Sequence, residues 1–181
     1  MFELLADEGQ APRVLVIACA DSRVDPGMIF DAAPGELFVV RNVANLVPPY
    51  HPDGSYHGTS AALEFAVRVL QVADIIVVGH ALCGGIRALL HGAPPEAADF
   101  VVPWMQIAAP ARARALACDD GRDQQLVCEQ AGVALSLEHL HGYPWIAERV
   151  AAGTLQLHGA HFDIRSGVLA VLRCDGSFVP A

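Results

Sequence analysis

Val14-Leu15-Val16-Ile17-Ala18-Cys19-Ala20-Asp21-Ser22-Arg23 is the stretch that decides the fold. Its first five residues form an unbroken aliphatic run, rich in β-branched side chains. Such runs suit strands covered on both faces, as in parallel sheets. Where the run stops, a thiol, a carboxylate and a guanidinium follow at alternate positions. Leu37 to Arg41 and Asp74 to Gly79 are runs of the same character, and Thr154 to His158 and Val168 to Arg173 supply a fourth and a fifth. Between them lie helical patterns. Thr59 to Gln71 carries Ala62, Phe65, Ala66, Val69 and Leu70 on one face, and Gly84 to His91 reads as a short helix. Gln124 to His141 has apolar residues at helical spacing, and Tyr143 to Ala152 has Pro144 in its first turn and Gly153 at its end. Val47 to Gly58 and Gly92 to Val102 read as loops. Alternating strands and helices predict an α/β fold, a mostly parallel central β-sheet of about five strands flanked by helices. A single domain spanning residues 1–181 is expected.

Composition narrows the function classes. The chain has 181 residues, 54% of them hydrophobic and 17% charged, which suits a sizeable core and argues against disorder. The formal net charge is -9 and the 11 basic residues are scattered, whereas a nucleic-acid partner calls for a basic face. No apolar stretch approaches the roughly 20 residues of a membrane-spanning helix. The acidic start, Met1-Phe2-Glu3-Leu4-Leu5-Ala6-Asp7-Glu8, lacks the apolar core and cleavage site of a signal peptide. Five cysteines, an odd number, do not suit a disulfide framework. A reducing cytoplasm, where thiols stay available as ligands, is the expected setting. Cys128 and Cys174 read as small buried apolar residues, and Cys118, ahead of Asp119-Asp120-Gly121, as a residue near the surface.

The other two cysteines keep different company. Cys19-Ala20-Asp21-Ser22-Arg23 follows the first strand directly, and His80-Ala81-Leu82-Cys83-Gly84-Gly85 follows the third. Ligands in open α/β sheets gather outside the carboxyl ends of strands. If these two strands are neighbours, Cys19, His80 and Cys83 converge. Two thiolates and an imidazole make a zinc set, and three protein ligands leave a fourth position open for catalysis. Asp21 is close enough to reach the metal or its water, and Arg23 can hold it, ionised and aimed, by a bidentate bond. Released from Arg23, that carboxylate could take the fourth position and expel water. Gly84 and Gly85 permit close backbone approach, and the helix start offers N–H groups to an anion. Zinc with two thiolates is formally neutral and should acidify water less than a three-histidine zinc. A zinc-bound hydroxide can still form, as nucleophile for a small electrophilic carbon. The plainer readings are buried core thiols with a core histidine, or a structural zinc. The second leaves Asp21 and Arg23 without a role.

Three longer motifs are specific: Cys-Ala-Asp-Ser-Arg-Val (19–24), Pro-Gly-Glu-Leu-Phe-Val-Val-Arg-Asn-Val-Ala-Asn (34–45) and Val-Val-Gly-His-Ala-Leu-Cys-Gly-Gly (77–85). Ser136-Leu137, Tyr143-Pro144-Trp145, Leu157-His158-Gly159 and Asp163-Ile164-x-Ser166-Gly167 add weaker support. In these motifs the chain resembles the β-class carbonic anhydrases, from Gln10 to Val179. The resemblance implies reversible hydration of carbon dioxide to bicarbonate and a proton. It implies one zinc per chain on Cys19, His80 and Cys83, with Asp21 and Arg23 as the catalytic dyad. It also implies that Gln10 donates its amide to substrate from across a dimer interface. Phe38, Val43 and Phe65 then line the apolar pocket for carbon dioxide, and Gly84 is substrate-binding as well. A homodimer, often assembled further, is the implied unit.

One subtype of the family closes its site by placing the aspartate on zinc, and tends to carry a tryptophan three residues before the first cysteine ligand. Val16 stands there in this chain, and Leu46-Val47-Pro48-Pro49-Tyr50 looks like the plant-type branch. An open site, with water or hydroxide as fourth ligand, is therefore expected. Members also begin with a helical arm that wraps the partner. Nine residues stand ahead of Gln10, a short start for such an arm, and the placing of Gln10 depends on it. Three rivals remain. One is a hydrolase of carbon disulfide or carbonyl sulfide on the same scaffold, and another is a non-catalytic zinc-binding protein. The third is a cysteine phosphatase using Cys19, although its Cys-x5-Arg spacing is absent because Arg23 follows too soon.

Overall fold

β1 (Val14–Cys19) is buried along almost its whole length and runs between β2 (Leu37–Asn42) and β3 (Asp74–His80). A computed structural model describes residues 2–119 and 121–181. Its sheet has six strands in the order β2-β1-β3-β4-β5-β6, where β4 is Gln156–Asp163, β5 Val168–Leu172 and β6 Phe178–Pro180. The pairings from β2 through β4 are parallel, and those of β4 with β5 and β5 with β6 are antiparallel. The expected single-domain α/β architecture is thus present, with one strand more than expected. The helices are α1 (Phe2–Glu8), α2 (Pro26–Ile29), α3 (Gly58–Glu64), α4 (Gly84–His91), α5 (Val101–Met105), α6 (Ala109–Ala117), α7 (Gln124–His141) and α8 (Pro144–Ala151). Among the described residues, no helix is long and apolar enough to cross a membrane.

α7 crosses β3 and β4, and two glycines let it settle there. A Cβ at Gly79 would come 2.7 Å from Val133 Cγ2, and one at Gly159 would come 2.9 Å from Val133 Cγ1. Leu15, Ile17, Leu63, Ile75, Val77, Val133 and Leu140 form the fully buried layer so created. Each such side chain contributes about 1.5–3 kcal/mol by leaving water. Asp123 caps α7, its side chain accepting the Gln125 N–H at 2.9 Å, which satisfies an otherwise orphaned helix-end donor.

Several expectations are corrected. The expected fourth strand, Thr154 to His158, instead runs from Gln156 to Asp163. Gly159 and His161 break its apolar pattern but are buried beneath α7 and its neighbours. β6 is a three-residue strand, too short to leave a periodic signal. The helix expected through Gln71 loosens after Glu64 into a π-turn over Phe65–Val69 and ends at Gln71 with a φ of 57°. Where Gly92 to Val102 reads as loop, α5 already begins at Val101. Cys174 is exposed, in the turn between β5 and β6, whereas Cys128 is buried as expected. Seven of the nine residues ahead of Gln10 form the short helix α1.

Candidate metal centre and active site

Chain order alone places the site. β2 lies on one side of β1 and β3 on the other, so the strand order reverses here, which makes a crevice at the carboxyl ends. Ala18 pairs with Val78, and the next residues of both strands emerge together. The ligand atoms of Cys19, His80 and Cys83, all buried, lie within 4.8 Å of one another. The two sulfurs are 3.9 Å apart. A disulfide would need about 2.05 Å, while tetrahedral Zn–S bonds of about 2.3 Å place two sulfurs roughly 3.8 Å apart.

The histidine decides which kind of group belongs between them. His80 Nδ1 lies 2.9 Å from the Ala81 carbonyl oxygen and donates to it, which leaves a lone pair on Nε2. Among the described residues, that Nε2 is the one buried side-chain nitrogen or oxygen without a hydrogen-bond partner. An orphaned buried acceptor costs about 1–3 kcal/mol, and a cation held with two sulfurs removes that cost. The residues therefore fit a zinc ion.

The electrostatics agree. The Cys83 thiol first, then His80 and backbone groups of Asp21 and Ala44, hold the Cys19 thiol well below its ordinary value against the opposing effect of burial. Cys83 is pushed up in turn by its bond to Cys19, by burial and by Cys19's charge, with Ile86 and Gly85 at the start of α4 opposing. A bound metal ion deprotonates coordinating thiols outright. Burial pulls the His80 imidazole down, but the nearby Cys19 thiol, the Ala81 carbonyl and the Asp21 charge outweigh it and raise the net value.

Asp21 and Arg23 meet as expected. Arg23 Nε donates to Asp21 Oδ1 at 2.9 Å and Nη2 to Oδ2 at 2.6 Å, and the Arg23 backbone N–H adds a third bond at 3.0 Å. The Arg23 guanidinium first, against a smaller effect of burial, holds the Asp21 carboxyl far below the usual carboxylate range. Asp21 Oδ2 is 4.0 Å from His80 Nε2, so the carboxylate flanks the space into which the imidazole points. Arg23 Nη2 also reaches the carbonyl of Leu82 at 3.2 Å. It thereby braces the ligand loop, where Leu82 has a φ of 61°, a conformation costly for a branched side chain.

Arg41 is the residue of the candidate site that motif reading passed over. Its Nε donates to the Cys19 carbonyl at 2.9 Å, and its Nη2 to those of Asp21 at 2.6 Å and Val24 at 2.8 Å. One guanidinium thus fixes the loop that carries Cys19, Asp21 and Arg23. The available signal was a charge ending an otherwise apolar strand.

The carbonic anhydrase family model matches residues 14–169. The chain belongs to the β-carbonic anhydrase family. It is 42% identical over 181 residues to beta carbonic anhydrase 3 of Arabidopsis thaliana, covering 96% of this chain and 69% of that protein. It is 45% identical over 166 residues to the chloroplastic beta carbonic anhydrase 5 of the same plant, covering 90% of this chain and 54% of that protein, little more than half its length. Among solved structures it is similar to the β-carbonic anhydrase CcaA, with a TM-score of 0.91, 35% identity, and coverage of 99% of this chain and 88% of that one. It is also similar to the tetrameric β-carbonic anhydrases of Sordaria macrospora, with a TM-score of 0.83, 32% identity and coverage of 96% and 86%.

The residues that the β-carbonic anhydrase resemblance assigns to substrate are more dispersed than the metal cluster. Phe38 and Phe65 stack with centroids 6.1 Å apart. Val43 instead lines a separate apolar cavity of about 610 Å³ with Asn42, Thr59 and Trp104, and Trp104 Nε1 donates to its carbonyl at 2.8 Å. Gln10 is exposed in the connection between α1 and β1. The close approach expected at both glycines belongs to Gly85 alone. A Cβ there would sit 2.8 Å from Val43 Cγ1, whereas one at Gly84 would meet nothing within 4 Å.

Proposed function

We propose that the chain is a zinc-dependent carbonate dehydratase that interconverts carbon dioxide and water with bicarbonate and a proton, as a single domain over residues 1–181. One observation carries the reading. The partnerless Nε2 of His80 points into a space bounded by two thiols and flanked at 4.0 Å by a carboxylate locked to an arginine. Zinc, when bound, supplies the Lewis acidity that makes a nucleophile of water near neutral pH.

The remaining steps fall to the chain. Cys19, His80 and Cys83 hold the ion. Asp21 Oδ2, kept ionised by Arg23, accepts the O–H of the attacking water and so turns a lone pair toward the carbon. Because both Asp21 oxygens are engaged by Arg23, the geometry supports the open site, in which the carboxylate stays off the metal. Val16, fully buried among Ala18, Val78 and Ala160, and the similarity to plant proteins support the plant-type branch. Gln10, Phe38, Val43, Phe65 and Gly84 are the substrate contacts of this proposal. Val39, Val43, Phe65 and Val69 are exposed, and apolar surface of that kind supports a homodimer or larger homo-oligomer. All five cysteines are free, which supports a reducing, cytoplasmic setting.

The test removes and restores the metal. Chelation should abolish carbon dioxide hydration and zinc should return it, with carbon disulfide and carbonyl sulfide assayed in parallel. Hydration that survives complete zinc removal, or turnover confined to the sulfur substrates, would overturn the proposal.

A further inference from the structure

The metal loop is also held from behind, by groups with no part in the reaction described above. Gln125 and Glu129 lie one turn apart on α7. Glu129 Oε1 accepts the backbone N–H of Cys83 at 2.9 Å and the side-chain amide of Gln125 at 2.9 Å. The same Gln125 amide lies 3.4 Å from the Cys83 carbonyl, so two side chains hold both backbone polar groups of Cys83, one on each side of its Cα. Glu129 Oε2 lies 3.1 Å from Nε2 of His161 on β4. Glu129 and His161 are 3% and 4% exposed.

Three N–H donors therefore converge on one carboxyl group, which suits a carboxylate, an acceptor at both oxygens. Burying such a group is costly unless it is paired, and a core of aliphatic side chains would be cheaper. What the arrangement supplies is placement. The loop carrying His80 and Cys83 includes a leucine at a φ of 61°, so its path is not the one its own residues prefer. We propose that Glu129, steadied by Gln125 and His161, is a positioning residue for Cys83. It holds the Cys83 backbone so that the sulfur stays in register with Cys19 and His80, and metal affinity and ligand geometry depend on it. This rests on the reading that the chain holds zinc.

The test measures zinc affinity by chelator competition and the thiolate-to-metal charge-transfer bands of the cobalt(II)-substituted protein. The parent is compared with Glu129→Ala, Glu129→Gln and Gln125→Ala. Loss of a group that orients a ligand typically costs 10–100-fold in metal affinity. Glu129→Ala should fall in that range with shifted cobalt bands. Glu129→Gln, whose amide oxygen can still accept the Cys83 N–H, should recover most of the affinity, and Gln125→Ala should show a smaller loss in the same direction. Zinc binding within about twofold of the parent, with unshifted bands in Glu129→Ala, would overturn the inference. If Glu129→Ala does not fold, Gln125→Ala decides by the same criteria. A parent that binds no zinc defeats the zinc reading itself, whereas a zinc-binding parent with unaffected variants defeats only the clamp.

Discussion

In the proposed function, Asp21 and Arg23 separate a catalyst from a zinc depot at the scale of single residues. Replacing Asp21 by Asn removes the charge that Arg23 grips while leaving the three ligand atoms in place. Zinc content should stay near that of the parent and kcat/KM should fall by at least about 100-fold, in the range of lost proton-handling groups. The pair also has a pH signature. Its folded pKa is depressed, by Arg23 first. The stability it lends is therefore fully present above the ordinary aspartate value near 3.9 and lost as pH falls toward the folded value. In metal-free protein, the Tm difference between parent and Asp21→Asn should shrink as pH drops from about 6 to about 3. A difference that stays flat or grows over that range contradicts the assignment. The convergence of Cys19, His80 and Cys83 and the pairing of Asp21 with Arg23 were legible in the sequence because each sits within a few residues of a strand end. Arg41 and Glu129 were not, since their partners are backbone groups of loops whose paths no spacing rule specifies.

Among the elements, the close seat of α7 on β3 and β4 governs how well the ligand loop is supported. Gly79→Ala forces a Cβ to within 2.7 Å of Val133. It should cost about 1–3 kcal/mol, the usual cost of overpacking, or several degrees in Tm for a chain of this size. Gly84→Ala meets nothing and should leave stability within about 0.5 kcal/mol. If Gly84 faces substrate, kcat/KM should drop all the same, and steady-state kinetics beside thermal melts separates the two effects. The long runs that became β1 and β3 were readable because burial on both faces demands uninterrupted apolar residues, and β2, at the sheet edge with its residues half-buried or exposed, shares the run without that burial. α5 and α6 were not assigned from sequence. Prolines at positions 103 and 110 and a face of small alanines, buried only against neighbouring helices, leave little periodic contrast.

For the whole molecule, the exposed apolar residues of β2 and the turn after α3 should be covered by a second copy. Sedimentation of the parent should give at least a dimer, and Phe65→Asp should shift the mass toward the monomer. A monomeric parent would remove that part of the account. Fold class was readable at this scale because the alternation of strands and helices admits few topologies. The apolar surface was not, because a residue such as Phe65, 40% exposed, reads as core when only its helical spacing is known, and a homodimer was expected only from the family resemblance.

The central claim is tested most directly by zinc content together with stopped-flow carbon dioxide hydration of the purified chain. The account predicts about one zinc per chain, as its three-ligand site requires, and rapid hydration that Asp21→Asn largely removes. A folded, zinc-loaded protein showing no hydration from about pH 7 to 9, where metal-activated water is available, would contradict it.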